Sequence, residues 1–351
     1  MKNIIGKITD LGNRFLSDVH IAVDIGTSNT RMAILNKGIV LREPTYIGQN
    51  VRSGEYLFFG QEAKEIYGKA PNFINVTKPI QNGIISDFDA NVLLMKYFLE
   101  KSVFPFFLNQ KFLKSKINAY TVVPTSSTEV EQRAIQESLV KAGVHNVSII
   151  EKPLASAFGS RMPIFTNKPI FSVDMGGGII EIAVIFMGGI VNQKILKIGG
   201  DYLDKAIYNY LHLKNGIIIG DQTAENLKIN LFTFDDSDNV MTIRGKSLED
   251  GLPKSLRVKS GDIREALATS FNHIIDAMKE VVETIPPEIV DGIIKNGVVL
   301  SGGLADIKGI DKYFSKELKI PVIIPDNPSD ATINGIVSLM NNKEKLKQVI
   351  L

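Results

Sequence analysis

Two stretches of the chain, about 150 residues apart, repeat one pattern of apolar and polar positions. The first reads IAVDIGTSNT from Ile21 and continues as RMAIL; the second reads FSVDMGGGII from Phe171 and continues as EIAVI. In each copy an apolar run contains an aspartate, Asp24 or Asp174, and a turn of small residues leads into a second apolar run. The pattern predicts two β-hairpins. A lone hairpin of this kind is common, but two with matched spacing predict two similar domains.

The turn of each hairpin carries groups that suit a bound polyphosphate. An aspartate at a strand end can face a divalent cation, and glycine lets the backbone approach an anion closely. The first turn offers side-chain donors and the second offers backbone N–H groups only. The residues concerned are Thr27, Ser28 and Asn29, then Gly176, Gly177 and Gly178. Two such turns facing each other would clamp a polyphosphate between two domains.

A third glycine element lies further along the chain. An apolar strand predicted at 298–300 runs into Ser301-Gly302-Gly303 and then into a helical pattern that extends toward Leu318. Such a junction presents free N–H groups at the start of a helix. A tight strand-to-helix turn with no ligand explains the glycines equally well.

Composition narrows the classes of function. The chain has 351 residues, of which 44% are apolar and 22% charged, which is typical of a globular protein. Its 40 Lys and Arg against 38 Asp and Glu leave a net charge of +2, so a strong field for nucleic acid is excluded. The absence of cysteine excludes disulfides and thiol nucleophiles, and four scattered histidines do not favour a histidine metal site.

No apolar run reaches the roughly 18–20 residues that a membrane-spanning helix needs, and no secretory signal is evident. The sequence therefore predicts a soluble, cytoplasmic protein unless a peripheral segment holds it at a membrane. Segment 1–18 is one candidate, because Ile4, Ile8, Leu11 and Phe15 have helical spacing among basic residues. Packing of this segment on the protein's own surface is the alternative.

A second candidate for membrane contact follows the helical pattern Val92–Glu100. Its apolar side chains make a poor helix and a good insertion loop, and the lysines after it would favour anionic lipid. The residues predicted to contact the membrane are Phe104, Phe106, Phe107 and Leu108. Packing of these side chains in the core is the alternative.

In this order and spacing, the two hairpins and the third glycine element resemble the phosphate-1, phosphate-2 and adenosine motifs of the actin-like ATPase superfamily. Longer stretches are similar to the MreB family of bacterial actins, and the resemblance covers about residues 19–340. These stretches are GIVLREPT from Gly38, NGIISDFD from Asn82, VEQRAI from Val130, IGGDYLD from Ile198, TAENLK from Thr223 and GDIREAL from Gly261. The Lys-, Ile- and Asn-leaning composition without Trp suggests a form from a wall-less bacterium.

The resemblance implies an α/β, actin-like fold of two lobes, each built on a ribonuclease-H-like mixed sheet with flanking helices. Nucleotide would lie in the cleft between the lobes. The implied division is an N-terminal amphipathic segment 1–18, domain I at 19–150 with an inserted subdomain at about 45–90, domain II at 151–340 with an inserted subdomain at about 200–260, and a tail at 341–351.

The same resemblance assigns the nucleotide site. Asp24 and Asp174 would hold Mg²⁺ through its waters, and the two turns would receive the phosphates of ATP or ADP. Glu225, Asn226, Leu227 and Lys228 would line ribose and base, and Gly302, Gly303, Leu304 and Ala305 would lie under the adenosine. The family usually has a third glycine at Leu304, and a side chain there would crowd the pocket. Preference for ATP over GTP is therefore left open.

The water-positioning residues of the family are replaced in this chain. The family generally reads Glu-Glu-Pro where this chain has Glu151-Lys152-Pro153, and Lys152 cannot accept a proton from the attacking water. Ile179 and Ile180 replace two threonines and offer no hydrogen bond. Losing one such group lowers a rate on the order of 10²–10⁴-fold, so weak ATP hydrolysis at best is predicted. The alternative is that Glu151 or Glu131 supplies the acid.

The resemblance further implies self-association into head-to-tail double protofilaments, alone or with related MreB isoforms. These filaments would lie at the inner face of the cell membrane and serve cell shape or motility. A small-molecule kinase of the same superfamily is the alternative, although no segment stands out as the base that a kinase needs. A chaperone would need a peptide-binding domain after the last motif, for which we expect no room before Leu351.

Overall fold

The structure, a computed structural model, describes residues 18–106 and 116–351. The described residues form two lobes, each built around a five-stranded mixed sheet with flanking helices. The predicted α/β fold with two similar lobes is confirmed by this duplication.

The sheet of the first lobe contains the first predicted hairpin. It comprises β1 (Val19–Ile25), β2 (Asn29–Ile34), β3 (Gly38–Pro44), β9 (Ile117–Val123) and β10 (Asn146–Glu151), in the order β10-β9-β1-β2-β3. β1, β2 and β3 are antiparallel neighbours, whereas β1, β9 and β10 run parallel. Side chains alternate along β1, so Ile21 and Val23 pack in the core of this lobe and Ala22 faces the junction with the other lobe.

The sheet of the second lobe repeats this topology strand for strand. It comprises β11 (Ile170–Met175), β12 (Ile180–Phe186), β13 (Gly189–Leu196), β17 (Val298–Ser301) and β18 (Val322–Ile323), in the order β13-β12-β11-β17-β18. The registers of the two hairpins also agree. Asp24 lies opposite Arg31 in the first, and Asp174 lies opposite Glu181 in the second.

Helices cover the sheets with their apolar faces. In the longest one, Ile263, Leu267 and Phe271 recur every four residues and are buried in the core of the second lobe. The helices of the described chain are α1 (Gln61–Ile66), α2 (Phe88–Ser102), α3 (Glu129–Lys141), α4 (Lys152–Gly159), α5 (Gly200–Asn215), α6 (Asp221–Leu231), α7 (Ser260–Glu283), α8 (Pro287–Asn296), α9 (Ile310–Leu318), α10 (Ala331–Met340) and α11 (Lys343–Val349).

Smaller sheets accompany the two five-stranded sheets. They comprise β4 (Ile47–Asn50), β5 (Tyr56–Phe59) and β6 (Ile74–Thr77); β7 (Ile80–Gln81) and β8 (Ile84–Ile85); and β14 (Ile217–Ile218), β15 (Val240–Ser247) and β16 (Pro253–Lys259). These strands fall inside the two segments predicted as inserted subdomains, whose boundaries stay a prediction. Across the cleft mouth, Lys64 Nζ lies 2.8 Å from Glu225 Oε1 and Lys78 Nζ lies 2.7 Å from Asp201 Oδ2.

The floor of the cleft is a close crossing of α4 and α10. A Cβ added to Gly159 would collide with the carbonyl oxygen of Ala331, and one added to Gly335 would collide with that of Ala155. The crossing therefore requires glycine on both helices. A shared apolar cluster joins side chains of both lobes around it, so the lobes are packed together at this floor.

Two segments were predicted to contact a membrane. Residues 1–17 of the first, and Phe107 and Leu108 of the second, lie outside the described residues. Of the rest, Phe104 packs against the core of the first lobe. Phe106 is 47% exposed, and Lys37 Nζ lies 4.1 Å from the centre of its ring. None of the helices within 18–106 and 116–351 is long and apolar enough to cross a bilayer.

The segment 341–351, predicted as a tail, is packed onto the first lobe. Leu346 and Val349 of α11 are buried, and the Leu351 N–H donates a hydrogen bond to the carbonyl oxygen of Ile149 over 3.0 Å. The end of the described chain therefore extends the edge of the first sheet beside β10.

Candidate functional site

A cavity of about 240 Å³ lies between the two hairpins and is bounded by both lobes. Its walls are the turns after β1 and β11, the start of α4, part of α6 and the 3₁₀ turn after β17. A neighbouring cavity of about 440 Å³ continues toward the cleft mouth. The predicted site residues that line the cavity between the hairpins are Asp24, Thr27, Ser28, Asn29, Lys152, Asp174, Gly176, Gly177, Gly178, Ile179, Glu225, Lys228, Gly302, Gly303 and Leu304.

The two hairpin turns are closed by equivalent backbone hydrogen bonds. The Gly26 N–H donates to the carbonyl oxygen of Asn29 over 3.1 Å, and the Gly176 N–H donates to that of Ile179 over 2.9 Å. These hydrogen bonds join equivalent positions of the two copies. The similarity seen in the sequence is therefore a similarity of backbone shape.

The two turns touch each other across the cleft. A Cβ on Gly177 would collide with the Ser28 hydroxyl, and a Cβ on Gly178 would collide with the Thr27 side chain. Thr27 Oγ1 also accepts a hydrogen bond from the Gly83 N–H over 3.0 Å. Glycine is thus required in the second turn because the first turn packs directly on it, in addition to any role toward an anion.

Asp174 is held by groups from two other elements. Lys152 Nζ, at the start of α4, lies 2.7 Å from Asp174 Oδ2, and the side chains are only 16% and 2% exposed. The Ser301 hydroxyl at the end of β17 donates to Asp174 Oδ1 over 3.2 Å. Burial alone would lower the pKa of Lys152, but the negative charges of Asp174, Asp24 and Glu181 outweigh it and hold that pKa above its usual value.

Asp24 has a different set of neighbours. Arg31 Nη1 lies 4.0 Å from Asp24 Oδ2, while Arg31 Nε lies 3.0 Å from Asp330 Oδ1. Arg42 Nη2 is a further 2.7 Å partner of Asp330. Burial raises the pKa of Asp24 above its usual value, against the opposing charges of Lys152 and Arg31.

Glu181 is a buried carboxyl behind the second turn. Its Oε1 accepts a hydrogen bond from the Thr125 N–H over 3.1 Å, and its Oε2 has no hydrogen-bond partner among the described residues. Burial raises the pKa of Glu181 to about 7, although the charge of Lys152 opposes the rise. The cavity is therefore backed by a carboxyl that titrates near neutral pH.

The sequence matches the family model for MreB/Mbl protein over residues 18–348. The chain belongs to the MreB/Mbl family. The cell shape-determining protein Mbl of Bacillus subtilis (strain 168) is 38% identical over 93% of this chain and 97% of its own length. The cell shape-determining protein MreB of Escherichia coli (strain K12) is 33% identical over 90% of this chain and 91% of its own length.

A solved structure of an MreB agrees with this assignment. The crystal structure of MreB 5 of Spiroplasma citri bound to AMPPNP has a TM-score of 0.88 and 27% identity, and the match covers 95% of this chain and 98% of that one. The predicted resemblance to MreB and the actin-like fold are confirmed. Membership of the MreB/Mbl family does not favour the small-molecule kinase alternative.

Five of the residues assigned by resemblance to MreB do not line the cavity. Asn226 is exposed, whereas Leu227 and Ala305 are buried in the core of the second lobe. Glu151 ends β10, and it is Lys152, one residue later, that faces the cavity. Ile180 likewise turns into the core, while Ile179 lines the cavity.

Glu225 and Lys228 line the cavity but already have partners in the protein. Lys228 Nζ lies 2.7 Å from Asp204 Oδ1 and donates to the carbonyl oxygen of Gly200 over 2.8 Å. Burial raises the pKa of Asp204 to about 6, against the opposing charge of Lys228. Glu225 is paired with Lys64 across the mouth, so any contact of these two side chains with a nucleotide is shared with the protein itself.

Mg²⁺ at Asp24 and Asp174 stays a prediction. The two carboxylates do not fit a divalent cation in this arrangement, because Lys152 is paired with Asp174 and Arg31 lies near Asp24. Within 18–106 and 116–351, no group of three or more His, Cys, Asp and Glu side chains could hold a metal ion.

The prediction from sequence missed several residues of the site. Arg31 and Asp201 line the cavity, and Glu181 lies behind it. Asp201 belongs to the IGGDYLD stretch that carries the MreB resemblance, so a signal for it was present. Arg31 and Glu181 occupy equivalent places in the two hairpins, and aligning the copies would have revealed their opposite charges.

Proposed function

We propose that this member of the MreB/Mbl family binds ATP or ADP in the cavity between the hairpins and polymerises into filaments. The observation that carries the proposal is the contact of Gly177 and Gly178 with Ser28 and Thr27, which brings two anion-binding turns from different lobes to one cavity. A ligand bridging these turns would favour the closed arrangement of the lobes. The related MreB 5 of Spiroplasma citri was solved with AMPPNP, an ATP analogue.

Hydrolysis of the bound nucleotide is weak in this proposal. Lys152 and Ile179 line the cavity at the positions of the family's glutamate and threonine, and neither can accept a proton from water. Glu151 does not line the cavity, and Glu131 accepts hydrogen bonds from Thr128 in the cap of α3. These contacts favour slow turnover over the alternative that one of the two glutamates supplies the acid.

The test is phosphate release from purified protein with Mg-ATP. We expect a nearly inactive wild type, and a rate at least about tenfold higher in a variant that combines Lys152→Glu with Ile179→Thr. The exposed substitution Lys295→Gln is the control. Brisk turnover by the wild type that Glu151→Ala abolishes would show that Glu151 positions the water and that the proposal of weak hydrolysis is wrong.

The proposed assembly is a head-to-tail homopolymer, with related MreB isoforms as further partners. It is supported by family membership, since the relatives are named as cell shape-determining proteins. Sedimentation with and without AMPPNP tests it. More pelleted protein with AMPPNP, together with filaments in electron micrographs, is expected; no nucleotide-dependent pelleting at any protein concentration would contradict it.

The filaments would lie in the cytoplasm against the inner face of the membrane. Phe106 supports this because it is exposed next to the segment that also contains Phe107 and Leu108. Phe106→Ser should lower pelleting with anionic liposomes several-fold. Fully burying an aromatic side chain in the bilayer would contribute about 1.5–3 kcal/mol to the free energy of membrane binding. Phe73→Ser, at another exposed phenylalanine, is the matched control, and equal effects of the two variants would count against a membrane role for Phe106.

Mg²⁺ has no part in the proposed binding of nucleotide between the two turns. The resemblance implies it, but Asp174 is ion-paired with Lys152. Whether the nucleotide needs a divalent cation is therefore a separate question about the same cavity.

A further inference from the structure

Lys152 lies where positive charge would be most useful to a bound polyphosphate. A Cβ built on Gly176, in the second turn, would be 3.9 Å from Lys152 Nζ. The same Nζ is 2.7 Å from Asp174 Oδ2. The ammonium group therefore stands between a carboxylate and the turn that offers backbone N–H groups to an anion.

The surroundings hold this ammonium in place and keep it charged. Asp174 cannot easily turn away, because its other oxygen accepts a hydrogen bond from the Ser301 hydroxyl over 3.2 Å. The negative charge of Asp24 adds to that of Asp174 and offsets the burial of the ammonium group. The lysine is thus a fixed cation rather than a mobile surface group.

A divalent cation at the same carboxylates would compete with Lys152. Both need Asp174, and two positive groups within a few ångströms of each other repel strongly in a partly buried site. Arg31 adds a second cation, which lines the cavity near Asp24. With these two side chains the cavity already carries the kind of charge that a metal ion would bring to phosphate oxygens.

We propose that the Lys152 ammonium takes the place of a divalent metal ion in this cleft, so that the polyphosphate of a nucleotide binds without metal. The inference rests on the proposed binding of nucleotide between the two hairpins. It assigns Lys152 a binding role toward the phosphates, beyond the loss of the water-positioning acid.

The first test uses the wild-type protein. ATP is titrated by isothermal titration calorimetry in excess EDTA and again in excess MgCl₂. We expect dissociation constants that agree within about threefold, since the chain supplies the charge in both cases. Binding that appears only with MgCl₂ would overturn the inference and leave the proposed nucleotide site standing. No binding under either condition would overturn both.

The second test uses Lys152→Gln, which removes the charge and keeps much of the side chain. In EDTA this variant should bind ATP at least about tenfold more weakly than wild type, because a hydrogen bond to a charged group is lost. MgCl₂ should restore most of the affinity, since the ammonium no longer competes for Asp174. Lys295→Gln, on the exposed face of α8, is the matched control and should behave as wild type.

Affinity of Lys152→Gln in EDTA equal to that of wild type would also overturn the inference. Thermal unfolding of each variant shows whether it is folded before titration. If Lys152→Gln does not fold, the wild-type titrations in EDTA and MgCl₂ still decide the question without any substitution.

Discussion

The two hairpins of the cleft share a backbone and differ in their charges. Both turns are closed by the same hydrogen bond, and both aspartates lie near the end of an equivalent strand. Opposite Asp24 the chain places Arg31, whereas opposite Asp174 it places Glu181. The duplicated fold therefore fixes where charged groups lie but leaves their sign free.

The two hairpins differ in the cations that compensate the charge of their buried aspartates. In the first, Asp24 faces the charges of Lys152 and Arg31, and Arg31 shares Asp330 as a partner with Arg42. In the second, two buried carboxyls depend on one cation, Lys152, brought by a different element. The second hairpin should therefore be the more sensitive of the two to single substitutions.

The largest difference is expected between Asp174→Asn and Asp24→Asn. Removing one partner of a buried ion pair costs about 3–5 kcal/mol, so Asp174→Asn should lower the free energy of unfolding by that order. Asp24→Asn should cost less than Asp174→Asn, because burial already disfavours the Asp24 carboxylate and Arg31, 4.0 Å away, keeps Asp330 as a partner. Urea denaturation measures both. Equal losses would show that the two hairpins do not differ in this way.

The next effect is a dependence of stability on pH that the second hairpin should show through Glu181. The pKa of Glu181 rises from 4.5 to about 7 on folding, so between these values the folded state holds a proton that the unfolded state has lost. Stability from this group is complete below pH 4.5 and falls as pH rises toward 7, by on the order of 3 kcal/mol.

Glu181→Gln should remove this contribution. The free energy of unfolding of wild type, minus that of the variant, should decrease as pH rises from about 4.5 to about 7. Urea denaturation of both proteins across this pH interval measures the difference. Groups that titrate in both proteins contribute equally to the two free energies of unfolding, so their effect cancels. Glu137→Gln, at an exposed site on α3, is the control. A difference that stays constant with pH would contradict the raised pKa.

A smaller effect is expected where the hairpins touch. Gly178→Ala adds a methyl group that collides with Thr27, and overpacking of this kind costs about 1–3 kcal/mol. The variant should unfold at a lower temperature and bind ATP more weakly. Gly220→Ala is the matched control, because a Cβ there meets nothing within 4 Å. If both variants unfold at the wild-type temperature, the turns do not pack as described.

The smallest effect is expected for Arg42→Ala. The Arg42 side chain is 56% exposed, and pairs of this kind contribute about 0–1 kcal/mol. Arg31 also remains as a partner for Asp330. Thermal unfolding should shift only slightly, and a loss comparable to that of Asp174→Asn would mean that the first hairpin also depends on a single cation.

Sequence patterns predicted the hairpins well because the alternation of side chains in a strand depends on near neighbours. They did not predict which residues of α6 line the cavity. Glu225 and Lys228 lie three positions apart on one face of the helix, while Asn226 and Leu227 between them point elsewhere. A motif names a stretch of residues, but the helix presents only some of them to the cleft.

The replacement of the family's acid by Lys152 was visible in the sequence, but the ion-pair partner of Lys152 was not. Asp174 lies on a separate element, β11, and only the packing of α4 beside that strand brings the two groups together. The same holds for Arg31 and Asp330. Contacts between residues far apart in the chain are set by tertiary packing, which no local pattern encodes.

The glycine crossing at the floor of the cleft has a mechanical consequence. Because α4 and α10 meet backbone to backbone at Gly159 and Gly335, a side chain at either position would force the two helices apart. A swing of one lobe would be smallest at this pivot and largest at the far end of the lever, where Lys64 meets Glu225. A small rotation about this crossing would therefore separate Lys64 from Glu225 while the packing of α4 on α10 stays intact.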